Sequence, residues 1–282
     1  MRHRAYFIFF LIIFSLSGCS PLGMLNATVS DDGYSSVINK AYGGKQRQNL
    51  DIHIPKQVKK NADVVVFFYG GRWQYGSKDE YAFVADALTS KGIITVIADY
   101  RLYPRVDWRE FVQDGALAYE WVVNNIKYYG GDPQRVFVMG HSAGAHIAAM
   151  AAVDESLLNK ATQRPCGLIG LAGPYDFLPI RDEDVKRIYS TASDLKNTQP
   201  ITFVNKGDPA MLLLHGVDDE AVRPTNSINM AERARQVGSD AKATTYKDTD
   251  HIDILISLSS TFRSYSPALR DSVAFINEID CS

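Results

Sequence analysis

The sequence has few cysteines, no surplus of basic residues and no long run of uncharged apolar residues. Three cysteines among 282 residues are too few for a disulfide-rich scaffold or for a zinc site closed by thiolates. The formal net charge of −2 gives no support to binding the phosphates of a nucleic acid. Hydrophobic residues make up 46% and charged residues 22% of the chain, which is ordinary for a globular protein and excludes intrinsic disorder. We therefore expect a folded protein that does not bind nucleic acid.

A short apolar run follows a basic start at the amino terminus. Arg2 and Arg4 frame this start, and the apolar run extends from Ala5 to Leu16. A helix needs about 20 apolar residues to span a bilayer, so the run is typical of a secretory signal instead. The next residues, Leu16-Ser17-Gly18-Cys19, resemble the lipobox of bacterial lipoproteins, and the resemblance implies that Cys19 is acylated and begins the mature chain. A plain signal peptide with an unrelated cysteine is the alternative.

The lipobox resemblance implies a division of the chain and a location. Residues 1–18 are expected to be a signal peptide, residues 19–36 a tether, and residues 37–282 the folded domain. The lipid on Cys19 would hold the protein to a membrane of the cell envelope, on the periplasmic side or at the outer membrane if the organism is Gram-negative. Cys166 and Cys281 would then lie in an oxidising compartment, where they either pair or remain buried thiols.

Apolar strands alternate with helices from about residue 64 to the carboxyl terminus. Continuous apolar stretches such as Val64–Tyr69 are typical of strands that are buried on both faces, and the spacing of apolar residues predicts helices such as Trp108–Tyr129. This order predicts an α/β fold with a mostly parallel central sheet and helices on both faces. The charged stretch around residues 174–200 interrupts the alternation and is either a small cap over a site or a surface loop.

The strongest functional signal is the pentapeptide Gly140-His141-Ser142-Ala143-Gly144. It follows one predicted strand and opens a predicted helix, which is the context that a nucleophile elbow requires. The turn leaves almost no room for side chains beside the serine, and glycines at both ends meet that need. The helix N-terminus places partial positive charge near the serine, where it favours an oxyanion. The pattern predicts that Ser142 is a nucleophile.

A serine hydroxyl needs a base to act at neutral pH. His215 and His251 both follow predicted strands, and side chains at the carboxyl ends of strands gather at one edge of an open sheet. With an elbow of this kind the acid lies between serine and histidine in the chain, and only His251 leaves room for it. His146, on the elbow helix, is expected to be packed rather than catalytic.

The acid that orients the base should follow a strand and precede His251. Asp218, Asp219 and Glu220 all meet this condition, and spacing alone does not choose among them. Asp248 and Asp250 are weaker candidates because they are too close to His251 in the chain.

A loop with two glycines follows the first buried strand. It reads Tyr69-Gly70-Gly71-Arg72-Trp73, and its glycines allow the backbone to approach a substrate closely. We expect an oxyanion hole formed by the N–H of Ala143 and an N–H of this loop.

These motifs together resemble the α/β-hydrolase superfamily from about residue 48 to the end of the chain. The likeness is greatest to esterases with an H-G-G-x-W loop, such as hormone-sensitive-lipase-like, kynurenine-formamidase-like and isoprenylcysteine-methylesterase-like enzymes. The residues that carry the resemblance are Tyr69-Gly70-Gly71-Arg72-Trp73, Asp99-Tyr100-Arg101-Leu102, Gly130-Gly131-Asp132-Pro133, Gly140-His141-Ser142-Ala143-Gly144-Ala145-His146 and His215-Gly216-x-x-Asp219-x-x-Val222.

The resemblance implies a role for each matching position. It implies an α/β-hydrolase fold with nucleophile Ser142, acid Asp219 and base His251. The backbone N–H donors of the oxyanion hole would be those of Gly71, Arg72 and Ala143. The sequence departs from the pattern at Tyr69, where such esterases usually have histidine, and at Arg72, where many have glycine. These differences affect the shape and charge of the cavity.

We expect a serine hydrolase that cleaves small-molecule carboxylic esters through an acyl-enzyme and needs no metal or organic cofactor. Trp73 and His141 are expected to line the substrate pocket, and Arg72 either faces the substrate or forms an ion pair. The alternatives are an amide hydrolase, such as a formamidase or peptidase, and a non-catalytic envelope lipoprotein that keeps the hydrolase fold.

Overall fold

The computed structural model describes residues 21–26, 29–30 and 32–281, and these build one eight-stranded sheet. The strands are β1 (Tyr34–Ala41), β2 (Asn49–Pro55), β3 (Ala62–Phe68), β4 (Ile94–Ala98), β5 (Gly131–His141), β6 (Gly167–Leu171), β7 (Ala210–Gly216) and β8 (Ala241–Tyr246). They lie in the order β1-β2-β4-β3-β5-β6-β7-β8. The β1–β2 and β2–β4 pairs are antiparallel and the other neighbours are parallel. The predicted α/β fold with a mostly parallel sheet is confirmed.

Helices precede, connect and follow the strands. They are α1 (Pro21–Asn26), α2 (Ala82–Thr89), α3 (Trp108–Asn125), α4 (Ala143–Val153), α5 (Glu183–Ile188), α6 (Pro200–Phe203), α7 (Thr225–Val237), α8 (Asp253–Ile256) and α9 (Ala268–Glu278), with 3-10 turns at Lys78–Glu80, Ile126–Tyr129, Glu155–Leu157 and Leu195–Thr198. A capping box starts α3: the Asp107 side chain accepts from the first turn and Glu110 accepts from the Asp107 N–H. Such reciprocal caps satisfy backbone donors that a helix start leaves unpaired.

The strand order reverses direction at β3, the centre of the sheet. The chain passes through α2 to β4 on one side of β3, and then through α3 to β5 on the other side. Because such crossovers are right-handed, α2 and α3 lie on opposite faces of the sheet, where α2 packs with α9 and α3 with α4. Helices on both faces explain why residues 64–68 of β3 are fully buried. A reversal of this kind opens a crevice at the carboxyl ends of the strands.

The ends of the described chain pack onto the domain. Helix α1 and the start of β1 lie within the expected tether of residues 19–36, and α1 contacts α2, so this part of the expected tether is folded. At the other end, Cys281 forms a disulfide with Cys166, with the two Cα atoms 5.1 Å apart. The pairing that the sequence left open is therefore present. Cys19 and residues 1–18 lie outside the described residues.

No helix of the described segments combines the length and the apolar character that crossing a bilayer requires.

Candidate active site

The nucleophile elbow joins β5 to α4 at the crevice. Ser142 has φ 54° and ψ −123°, a strained combination for a residue with a side chain. Its neighbours leave no room for a Cβ: one added at Gly140 would lie 2.3 Å from the Gly144 carbonyl oxygen, and one at Gly144 would lie 2.0 Å from the Phe68 carbonyl oxygen. The structure thus contains the tight strand–turn–helix that the pentapeptide predicts, with Ser142 at its tip.

A hydrogen-bonded chain connects the side chains of Ser142, His251 and Asp219. The Nε2 atom of His251 lies 2.9 Å from the Ser142 Oγ, and its Nδ1 lies 2.7 Å from the Asp219 Oδ2. Since the carboxylate only accepts, Nδ1 carries the proton and Nε2 is free to accept one from the serine. This geometry is that of a nucleophile, a general base and an orienting acid.

The structure brings only one of the three candidate acids to the base. Asp218 and Glu220 are exposed, whereas Asp219 is buried. The Asp219 Oδ1 accepts the N–H groups of Ala221 and Val222 at 2.9 and 2.8 Å, which turns the other oxygen towards the histidine.

The two weaker candidate acids, Asp248 and Asp250, do not bond to the ring of the base. Asp250 caps α8, because its Oδ1 accepts the N–H groups of Ile252 and Asp253. Asp248 lies in the turn after β8 with φ 51°. Neither is bonded to the His251 ring.

A second histidine supports the acid. His215 is fully buried, and its Nε2 lies 3.1 Å from the Asp219 Oδ2 and 2.8 Å from the Val222 carbonyl oxygen. Burial alone would raise the pKa of Asp219, but hydrogen bonds from His215 and His251 outweigh it and hold that pKa well below its usual range. Asp219 is therefore ionised at neutral pH.

Three backbone N–H groups at the elbow and the glycine loop are free to bind an oxyanion. Those of Gly71, Arg72 and Ala143 donate to no group within the part of the chain that the structure describes. Gly71 has φ 127° and a Cβ there would lie 2.2 Å from the Tyr75 carbonyl oxygen, so only glycine fits. Preorganised N–H groups of this kind are the usual means of stabilising a tetrahedral oxyanion.

Buried hydrogen bonds beneath the glycine loop hold it in place. The Tyr69 hydroxyl donates to the Asp99 Oδ1 at 2.6 Å, and the same oxygen accepts from the Lys78 N–H and from Arg47. The Tyr100 hydroxyl donates to the Tyr69 carbonyl oxygen at 2.8 Å. Tyr69, the departure from the usual histidine, thus anchors the end of β3 to the end of β4. No sequence motif pointed to Arg47, which lies far from these residues in the chain.

A pocket of about 590 Å³ opens above Ser142 and His251. Two segments line most of it: residues 174–185, which we call the cap, and the start of α7 with the residues just before it. The first part of the interrupting stretch therefore lines the pocket. Pockets of this size accept small organic molecules.

An ion pair joins the cap to the glycine loop. The Nη2 atom of Arg72 lies 2.9 Å from both carboxylate oxygens of Asp182, and both side chains are 48% exposed. Asp182 is also the N-terminal capping residue of helix α5, since its Oδ1 accepts hydrogen bonds from the Asp184 and Val185 N–H groups. The Arg72 side chain thus forms an ion pair, and Arg72 also contributes to the pocket wall.

The floor of the pocket is aromatic. Trp73 lines the pocket as expected, although its side chain is only 4% exposed. Its ring packs edge-on against His146 and Tyr189, with ring centroids 5.3 Å away in each case. The His146 Nε2 lies 2.8 Å from the Thr198 carbonyl oxygen, and burial lowers the pKa of His146 to about 4. His146 is packed, as predicted from its place on the elbow helix.

The expectation that His141 lines the pocket is wrong. Its side chain is almost fully buried and does not contribute to the pocket wall, because successive side chains at the end of a strand point to opposite sides and Ser142 takes the pocket side. The His141 ring instead lies beneath His251, with its Nε2 2.8 Å from the His251 carbonyl oxygen. The sequence contains no signal for this contact.

Within the described residues, no group of three or more histidine, cysteine or acidic side chains is arranged to hold a metal ion.

The reversing parallel sheet, the elbow and the serine–histidine–aspartate contacts define an α/β hydrolase. The chain belongs to the BD-FAE family, whose model matches residues 50–234. A plant relative, a probable isoprenylcysteine alpha-carbonyl methylesterase of Arabidopsis thaliana, is 29% identical over 76% of this chain and 50% of its own length. The kynurenine formamidase of Salmo salar is 30% identical over 51% of this chain and 48% of its own length. The chain thus spans about half the length of these curated relatives.

A solved structure shares the fold over nearly its whole length. The truncated form of a carbohydrate esterase from gut microbiota superposes with a TM-score of 0.73 at 23% identity, covering 88% of this chain and 98% of that one. The α/β-hydrolase fold expected from the sequence is confirmed.

Proposed function

We propose that the protein is a carboxylic ester hydrolase that works through an acyl-enzyme on Ser142. The observation that carries the proposal is the continuous hydrogen-bonded chain from Asp219 through His251 to Ser142, whose last two members line a pocket. Relatives with esterase names and the fold shared with a carbohydrate esterase support it.

The reaction follows from the positions of the atoms. The Ser142 Oγ attacks the ester carbonyl carbon while the His251 Nε2 takes the hydroxyl proton, and the carbonyl oxygen becomes an oxyanion held by the free N–H groups of the elbow and the glycine loop. Collapse of this intermediate expels the alcohol, which receives the proton from His251, and leaves an ester on Ser142. Water then repeats the sequence and releases the acid. Ionised Asp219 stabilises the imidazolium in both halves.

The pocket favours a small ester with both apolar and polar parts. Phe177, Leu178 and Ile180 supply apolar wall on the cap, whereas Arg181 and Arg223 bring charge to the rim. An amide would use the same groups and differ only in protonation of the leaving nitrogen, and the formamidase relative supports this second candidate.

Replacement of Ser142 tests the proposal. We expect Ser142→Ala to abolish hydrolysis of p-nitrophenyl acetate and labelling by a fluorophosphonate, with an unchanged circular dichroism spectrum. Ser257→Ala is a matched control, since Ser257 is a buried serine whose hydroxyl bonds to the Ile254 carbonyl oxygen and the Ser266 hydroxyl and not to a triad residue. Turnover that survives in Ser142→Ala would refute the assignment, and absence of labelling in the wild type would favour a non-catalytic role. Parallel assays with p-nitrophenyl acetate and the matching anilide distinguish ester from amide preference.

We further propose that the enzyme is lipid-anchored in the cell envelope through Cys19. The lipobox-like sequence ending at Cys19 supports this, and so does the Cys166–Cys281 disulfide, because disulfides persist in oxidising compartments. We expect the wild type to partition into detergent and Cys19→Ser into the aqueous phase. A wild type that remains aqueous, with no acyl mass on its amino-terminal peptide, would overturn the anchor.

A further inference from the structure

The side chain of His141 touches three separate parts of the site. It belongs to the elbow strand β5, its Nε2 lies 2.8 Å from the carbonyl oxygen of His251, and a Cβ on Gly70 would lie 2.9 Å from its Nδ1. The elbow, the loop that carries the base and the loop that carries oxyanion donors therefore meet at one buried ring.

The contact with His251 determines which ring nitrogen of His141 carries the proton. A backbone carbonyl oxygen only accepts, so the His141 Nε2 must donate, and Nδ1 is left without a hydrogen. Within the described chain this Nδ1 has no hydrogen-bond partner. Burial lowers the pKa of His141 to about 3, so the ring stays neutral and adds no positive charge beside the imidazolium that forms on His251.

The two imidazole rings also pack directly. Their centroids are 4.8 Å apart with the planes inclined by 45°. His251 is thus held on three sides: by Asp219 at Nδ1, by the His141 ring along its face, and by the His141 Nε2–H at its own backbone.

We infer that His141 is a positioning residue: by donating a hydrogen bond to the carbonyl oxygen of His251, it fixes the base at reacting distance from Ser142. The inference rests on the proposed function, because it assigns a role within that same site. It makes His141 part of the machinery although the ring contacts neither the pocket nor the nucleophile's hydroxyl.

Two isosteric replacements separate this role from simple packing. A glutamine side chain places an amide N–H where the Nε2–H of His141 lies, whereas asparagine is shorter and reaches only the Nδ1 position. We expect His141→Leu and His141→Asn to lower kcat about 10- to 100-fold with little change in KM, since displacement of a reacting group by about 1 Å has costs of this size. We expect His141→Gln to recover most of the loss.

The rate of phosphonylation of Ser142 by a fluorophosphonate gives a second readout. This reaction needs the nucleophile, the base and the oxyanion donors but no particular ester. A cooperative thermal unfolding transition first confirms that each variant is folded, and the rate is then normalised to the amount of folded protein. Equal rates in the wild type and His141→Leu, or equal losses in His141→Gln and His141→Asn, would overturn the inference. A wild type that reacts with the fluorophosphonate but cleaves no ester would refute the proposed function instead, and the comparison among variants would still decide the role of His141.

Discussion

Replacing Asp219 by asparagine should prevent His251 from acting as a base while the side chains of the site keep their positions. The N–H groups of Ala221 and Val222 both point at the Oδ1, so the new side chain must keep its amide oxygen there. Its NH₂ group then faces His251 and His215, where the native Oδ2 accepts at 2.7 and 3.1 Å. His251 has to present an unprotonated Nδ1 to this donor, which moves its own proton to Nε2.

A proton on the His251 Nε2 points at the Ser142 Oγ and prevents that nitrogen from acting as the base. In a serine protease the same change of tautomer lowers kcat by about 10⁴, which corresponds to roughly 5.4 kcal/mol of activation free energy. We expect a loss of this order for Asp219→Asn.

The assay is initial-rate hydrolysis of p-nitrophenyl acetate at pH 7.5, normalised to folded protein. Asp218→Asn is the matched control because Asp218 is the exposed neighbour, and we expect it to keep near wild-type activity. Retention of more than a tenth of the wild-type kcat by Asp219→Asn would show that Asp219 does not set the tautomer of His251.

Three further predictions concern stability. Gly144→Ala should severely destabilise the fold, since its Cβ would overlap the Phe68 backbone, whereas Gly44→Ala, where a Cβ meets nothing within 4 Å, should be nearly neutral; equal melting temperatures would contradict this. The double change Cys166→Ser and Cys281→Ser should lower the free energy of unfolding by about 2–4 kcal/mol because it releases a long loop, and an unchanged urea midpoint would refute that. Acid should weaken the fold: His141 and His146 have folded pKa values of about 3 and 4 against about 6.5 when unfolded, so their contribution is present above pH 6.5 and is lost as the pH falls. For each histidine, a fall from pH 7.5 to pH 5 should lower the free energy of unfolding by roughly 2 kcal/mol. Urea midpoints that stay constant over this range would show that the two rings are not buried in the neutral form.

The candidate nucleophile and the candidate base could be predicted because one is marked by a short motif and the other by its order along the chain. The flanking glycines of Ser142 follow from the steric demands of the turn, and the order of residues along the chain selects His251. The acid was not predictable from spacing, because Asp218, Asp219 and Glu220 stand side by side in the sequence. The backbone N–H groups just after them, which turn one carboxylate inward, are visible only in three dimensions.

Other features escaped prediction for different physical reasons. Strand β1 (Tyr34–Ala41) forms the exposed edge of the sheet and most of its side chains face solvent, so it has no apolar pattern that predicts a strand. Its first three residues fall within the tether expected at residues 19–36. His141 was misplaced because its partner, the His251 carbonyl oxygen, lies 110 residues away. Such a contact depends on how distant segments of the chain come together in the fold, and the spacing of apolar residues in the sequence does not predict it.

Arg72 belongs to the glycine loop through its backbone and to the cap through its side chain. Its N–H is free to donate to an oxyanion, while its guanidinium forms an ion pair with Asp182 at the start of α5. We expect a bulky acyl group that displaces the cap to act through this ion pair on the Arg72 peptide, which would hold the oxyanion in the proposed mechanism. We expect oversized substrates to be rejected at the chemical step, as slow turnover, rather than at the entrance, as weak binding.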